Sequence, residues 1–249
     1  MKNLLSSHTS TRTNHVLYIL GDTSSTEHSG NLKFNSTTDA IDLTCSDGFT
    51  ATGVTGTAFT HTWDTTKDIQ YTETKKIRWI IVDTNTTNVS YLWPIIGTAA
   101  GSASYRRIIG MIFDKIIISS NTEIRDMYGL EYCIFMNGAY INNTMPFNGY
   151  FAYCADLQYV ENLNMQYSTD TANLQLSGDP LLVNVQNINR SLKVLPNSNS
   201  LFNTNTVNAL ISGLSTTGTG LTLTIGSINL GVANSTLVTT AQTNGWTLS

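Results

Sequence analysis

Seven short apolar cores recur through the second half of the chain, and their spacing restricts the possible fold more than any other feature. They are Lys115-Ile-Ile-Ile118, Tyr132-Cys-Ile-Phe135, Leu157-Gln-Tyr-Val160, Leu182-Val-Asn-Val185, Leu192-Lys-Val194, Leu221-Thr-Leu-Thr-Ile225 and Trp246-Thr-Leu248, with starts 17, 25, 25, 10, 29 and 25 residues apart. Leu221, Leu223 and Ile225 alternate with threonine, so a strand there has one apolar and one polar face. Helix-like returns lie between the cores. Val207, Leu210, Ile211 and Leu214 follow Asn205-Thr206, and Asn234 precedes Leu237-Val238 and Ala241 before Asn244-Gly245 ends the turn. A strand, a turn and a return of this length cannot bury their apolar side alone and have to stack on the next copy. The 10-residue step breaks the period. Either one core is misplaced, or Leu192–Val194 belongs to the return of the preceding coil.

The first hundred residues read differently. His15–Leu20, Gly30–Phe34, Ala40–Cys45, a segment from Phe49 to Trp63 broken at Gly53 and Gly56, Ile69–Thr72, Lys76–Val82 and Asn88–Trp93 are short strand candidates, with Asp47-Gly48 a turn and Pro94 closing the last. Such spacing suggests a small sandwich or an irregular sheet. The small-residue bridge Gly97–Ser104 is the candidate boundary, and the polar, Ser/Thr-rich residues 1–13 read as a flexible arm, free or ordered against a neighbouring subunit.

Only 12% of the 249 residues are charged, so the polar surface must be built from Ser, Thr and Asn. These residues favour strands, turns and caps. The net charge is −4, and the longest basic runs are the pairs Lys75-Lys76 and Arg106-Arg107, which excludes the cationic footprint of a nucleic-acid binder. Three cysteines, Cys45, Cys133 and Cys154, form neither a disulfide framework nor a C-x-x-C zinc motif. They read as buried thiols, with a Cys133–Cys154 bridge the alternative in an oxidising compartment. The N-terminus lacks a secretory apolar stretch and no run of about 18 apolar residues occurs, so no membrane span is expected. A protein of this kind working outside a cell would leave by lysis or as part of a particle.

Residues 207–249 carry a resemblance. Val207-Asn-Ala-Leu-Ile-Ser-Gly-Leu214, then Leu221-Thr-Leu-Thr-Ile225, then Leu237-Val-Thr-Thr-Ala-Gln-Thr-Asn-Gly-Trp246-Thr-Leu-Ser249 resembles the ending of irregular leucine-rich-repeat virion proteins of bacteriophages: helix, alternating strand, second helix, and a Gly-Trp-Thr-Val-like last strand. The resemblance implies a non-enzymatic tail, fibre or head-decoration protein that contributes to host attachment, is located in the virion, assembles with other virion proteins, and repeats as a homo-oligomer. The expected fold class is therefore β-rich α+β: an arm over 1–13, a sandwich-like β domain over 14–104, and an irregular leucine-rich-repeat solenoid over 105–249. Trp246 is expected to cap the open end of that array.

Signals for chemistry are sparse. His8, His15, His28 and His61 form no metal motif, Cys–His catalysis lacks local support, and no cofactor or metal site is expected. A polysaccharide-degrading spike would need two carboxylates, for which Asp39/Asp42, Asp64/Asp68 and Glu123/Asp126 are the local pairs. Binding is the better expectation. Tyr128, Tyr132, Tyr140, Tyr150 and Tyr153 lie in one aromatic-rich span that either fills a core or stacks on sugars or a protein partner. Asn184, Gln186, Thr222 and Thr224 are placed on the polar face of the repeat strands, so a surface adhesin recognising glycan or protein is the alternative function.

Overall fold

The computed structural model describes residues 2–21, 32–34, 40–55, 61, 63–85, 88–89, 94–96, 108–118, 124, 127–141, 151, 153–165, 172–176, 180–195 and 202–249. The N-terminal half supplies α1 (Lys2–Ser7), β1 (Asn14–Gly21), β2 (Leu32–Phe34), β3 (Ile41–Cys45), β4 (Thr50–Val54), β5 (Ile69–Gln70), β6 (Lys76–Thr84), β7 (Asn88–Val89) and β8 (Pro94–Ile96). The C-terminal half supplies β9 (Ile108–Asp114), β10 (Ile117–Ile118), β11 (Tyr132–Met136), β12 (Tyr140–Ile141), β13 (Tyr159–Glu161), β14 (Ala172–Gln175), β15 (Leu181–Val183), β16 (Leu192–Leu195), α2 (Thr204–Ser212), β17 (Leu221–Thr224), α3 (Ser227–Gly231), α4 (Ser235–Thr243) and β18 (Trp246–Leu248). The chain is thus β-rich α+β with mixed sheets. No helix among the described residues is long and apolar enough to cross a membrane.

Nine strands make one mixed sheet in the order β15-β13-β11-β9-β1-β6-β3-β4, with β5 added to β6. The strands of the first half pair antiparallel, and β9, β11, β13 and β15 pair parallel. The two halves meet at β1, which bonds β6 on one side and β9 on the other. Among the described residues β1, β3, β4, β5 and β6 therefore join this mixed sheet, nearer to the irregular sheet than to the small sandwich that their spacing left open. The reason lies in β1, whose run Val16–Leu20 is buried on both faces and needs a partner on each edge. The proposed boundary at 97–104 falls outside the described residues. Pro94, expected to close a strand, instead opens β8 opposite Phe34.

Each face of the sheet has its own core. Val16, Tyr18, Leu43, Val82, Met111, Cys133, Val160 and Leu182 belong to the larger one, which runs on to Leu223 and Trp246. Leu17, Ile19, Ile77, Ile81, Ile112 and Ile134 form the smaller outer core, which is covered by Leu5 of α1. Residues 2–13, read from sequence as an arm, lie along this outer face: Lys2 is paired with Glu161, His8 with Asp83, and Arg12 with Asp42.

Parallel pairing organises the second half. Met111, Cys133, Val160 and Leu182 are successive partners, so the chain advances 22, 27 and 22 residues per step. A second parallel sheet, β14-β16-β17-β18, aligns Ala172, Leu192, Leu223 and Leu248. A third aligns Asn88, Ile117 and Tyr140 on β7, β10 and β12. The 10-residue step is thereby explained. Leu182 and Leu192 sit in different sheets, because ten residues are too few for a parallel crossover. Beyond β15 helices take over one side, with α2 against β15 and α4 against α2. Thr206 fixes the first junction through its hydroxyl, which donates to Pro180 O and accepts from Leu182 N. Helix α2 begins at Asn203, whose side chain accepts from Asn205 N, two residues earlier than its apolar spacing suggests. Ile228 lies on α3 and is exposed.

Where β9 meets β11, the ring of Tyr132 lies over Gly110. A Cβ at Gly110 would stand 2.1 Å from Tyr132 Cζ. Gly110→Ala is expected to destabilise by about 1–3 kcal/mol through overpacking, read as a lower urea midpoint at unchanged m-value.

Candidate functional site

Each parallel strand of the large sheet ends in a residue with left-handed backbone: Lys115 after β9, Asn137 after β11, Asn162 after β13 and Asn184 after β15, at φ 56°, 49°, 57° and 55°. Asparagine tolerates this conformation better than most residues because its short side chain bonds locally. Here those side chains bond from one strand end toward the next. Asn137 Nδ2 donates to Asp114 Oδ1 at 2.7 Å, Asn162 Nδ2 to Phe135 O at 3.0 Å, and Asn184 Nδ2 to Asn162 Oδ1 at 2.6 Å. Two residues further on, Asn164 and Gln186 form a parallel bridge in which Gln186 N donates to Leu163 O. Asn187 Nδ2 reaches Asn164 Oδ1 at 3.3 Å.

This corner encloses a groove of about 230 Å³ lined by Phe135, Asn137, Gly138, Ala139, Asn162, Asn164 and Gln186. None of these side chains is charged. The turn Met136–Ala139, closed by Ala139 N donating to Met136 O, uses positive φ at Asn137 and Gly138 to bring its backbone to the rim. An amide carries two donors and an acceptor, so the row offers paired donors and acceptors suited to sugar hydroxyls or a peptide backbone. The volume falls below the range of about 300–1,000 Å³ typical of whole small-molecule pockets. It suits one polar unit of a larger ligand.

Of the residues singled out by sequence, Gln186 lines the groove and Asn184 braces it through Asn162. Thr222 and Thr224 lie elsewhere, half-buried on β17 in the second parallel sheet, where Thr222 N takes Ser191 Oγ and the Thr224 hydroxyl meets that of Ser249. Among the described residues no tyrosine lines the groove. Tyr128 and Tyr153 are exposed, Tyr140 is half-buried on β12, and Tyr132 has a buried hydroxyl with its ring over Gly110. Tyr150 lies outside the described residues. Phe151 from the same span is fully buried in the core. The asparagines at 137 and 162 were missed, although an Asn after each of three successive strand cores, including the turn dipeptide Asn137-Gly138, was a readable signal.

Among the described residues two clusters have metal-ligating chemistry: His8, His15 and Asp83, and the buried trio Cys45, Asp47 and His61. The trio is a closed hydrogen-bond knot. Asp47 accepts from Phe49 N, Asp64 N and the His61 ring. Burial pushes the Asp47 carboxyl up, but the backbone donors of Asp64 and Phe49 and the His61 ring outweigh it and hold it below its ordinary value. The Cys45 thiol is pushed up to about 12 by burial and by Asp47, so it is not an activated nucleophile. A carboxylate with a depressed folded-state pKa contributes stability above its unfolded pKa and loses it as pH falls through the folded value. Asp47→Ala is therefore expected to cost about 1–3 kcal/mol at pH 7. Its gap from wild type should narrow as pH drops below about 4, measured by urea unfolding at a series of pH values.

The carboxylate pairs considered for hydrolysis are occupied structurally where they are described. Asp64 caps a short 3-10 turn, Asp68 holds Arg78, and Asp42 holds Arg12. Asp39, Glu123 and Asp126 lie outside the described residues. No protein-family model, curated protein or solved structure matches this chain.

Proposed function

We propose that the chain is a non-enzymatic structural component of a bacteriophage virion, built as an irregular leucine-rich-repeat solenoid on an N-terminal β region, and that its amide-lined groove contacts a host-surface glycan. The parallel register of β9, β11, β13 and β15 is the observation that carries this reading, because the strands repeat in register and the amides that follow β11, β13 and β15 come to a single edge. The ending Leu237–Ser249 supplies the virion context through its resemblance to phage repeat proteins. In this reading the partners are other virion proteins and further copies of the chain.

Mass spectrometry of purified particles tests the first part, and absence of the chain from them would reject it. For the second part, Gln186→Ala removes hydrogen bonds worth about 0.5–1.5 kcal/mol each. Binding of the full chain to host cells or to isolated surface polysaccharide should weaken about three- to tenfold, with the urea midpoint unchanged. Wild-type chain that binds neither cells nor polysaccharide would overturn the glycan reading. A surface adhesin recognising protein is favoured instead if binding survives removal of the polysaccharide.

A further inference from the structure

Five side chains form one row across the outer face of the large sheet. Asp42 on β3 is the register partner of Asp83 on β6, Asp83 of His15 on β1, His15 of Asp114 on β9, and Asp114 of Met136 on β11. Directly paired residues point to the same face of a sheet. The row therefore places three carboxylates and one imidazole side by side where the apolar part of that face ends. The segment after α1 folds over it and adds His8 and Arg12. Arg12 grips Asp42 through Nε and Nη2 at 2.6 and 2.9 Å. His8 Nε2 lies 2.8 Å from one oxygen of Asp83, and His15 Nδ1 lies 2.7 Å from the other.

We propose that His8, His15 and Asp83 bind a divalent cation of the zinc class, which ties the N-terminal segment to the sheet. The donor set is two imidazoles and a carboxylate from three separate stretches of chain, and its ligand atoms all lie within 4.8 Å of one another. Bonds of about 2.0–2.2 Å to zinc need only a small outward movement from this arrangement. The two rings stand at 86° with centroids 5.8 Å apart, so both can aim at one point from different sides. The charge of the row also favours a cation. Three carboxylates face one guanidinium, which leaves an excess that a divalent ion cancels where both histidines are neutral ligands. Asp83 is 4% exposed at its side chain and the histidines 12% and 14%, so the carboxylate is held from below while water can complete the fourth position. Such an ion has mechanical work to do. On α1 Leu5 is buried and Leu4 partly so, and a six-residue helix does not hold itself.

The test uses the full chain, stripped with a chelator and titrated with Zn2+ by calorimetry and with Co2+ by visible absorption. The expected result is saturable one-to-one binding, Co2+ bands of a four- or five-coordinate nitrogen/oxygen site, and slower tryptic cleavage after Arg12 in the presence of Zn2+. His8→Ala, which leaves the sheet intact, should weaken binding at least tenfold and abolish the protection. His15→Ala should do the same, so the result does not rest on one variant. Three outcomes overturn the proposal: no saturable Zn2+ binding, binding unchanged in both histidine variants, or binding lost in Cys45→Ser with thiolate-to-Co2+ charge transfer. The last would place the ion at Cys45, Asp47 and His61.

Discussion

Trp246→Ala is expected to lower the unfolding free energy by about 3–5 kcal/mol, the largest effect of any single substitution in the C-terminal half. The indole is 3% exposed and joins the main core on the last strand. Its Nε1 donates to Ser215 O at 3.0 Å, and its ring lies against Gly218 so closely that a Cβ there would be 2.1 Å from Cδ1. Truncation therefore removes a packed ring, opens a cavity that the glycine cannot fill, and leaves a carbonyl without its donor. For a chain of this length the melting temperature should fall by about 6–20 °C. Trp246→Phe keeps most of the packing and should recover more than half of that loss. Equal losses in the two variants would show that the hydrogen bond, and not the ring, closes the end of the stack.

Arg78→Ala should be comparably severe, at about 3–5 kcal/mol, because it breaks a buried ion pair and leaves its partner alone. Arg78 is 2% exposed. It binds both oxygens of Asp68, at 2.5 and 3.1 Å, and its guanidinium carbon lies 5.2 Å from the centre of the Trp63 ring. The penalty belongs mainly to the stranded carboxylate, so the pair is best tested as a cycle. Arg78→Met with Asp68→Leu should be markedly more stable than Arg78→Ala and close to wild type. A double variant as unstable as the single one would mean that the guanidinium's packing on Trp63 carries the stability. Urea unfolding of the wild type, Arg78→Ala and the double variant distinguishes these results.

Strands were legible where the signal is local. Lys76–Val82, Tyr132–Phe135 and Leu221–Ile225 announce themselves through β-branched runs or alternation, and each lies in a strand. Which strands share a sheet was not legible, since register partners on parallel strands stand 20 or more positions apart in the sequence and every core looks alike. That is why the 10-residue step from Leu182 to Leu192 reads as a break in one period when the two residues belong to different sheets. The site was legible in half. Gln186 and Asn184 were found from the polar face of one strand, but Asn137 and Asn162 join them only through the register of β11, β13 and β15. His8, His15 and Asp83 carried no sequence signal. Their meeting depends on a segment that composition marks as an arm, folded onto the ends of β1 and β6.

The parallel register of the second half underlies both the groove and the proposed virion role, and one cross-link tests it directly. Thr222 and Thr247 are register partners on β17 and β18, the last parallel pair, at half-buried and exposed positions that substitution should leave intact. Paired strand residues lie within the Cα separation that a disulfide spans. In the Thr222→Cys/Thr247→Cys protein, brief mild oxidation should form one intramolecular disulfide, seen as the corresponding mass loss and a mobility shift reversed by reductant. Lys193→Cys/Thr247→Cys, with its cysteines on strands separated by β17, should form none. Failure of the first pair to close, or equal closure of both, would contradict the stacked register.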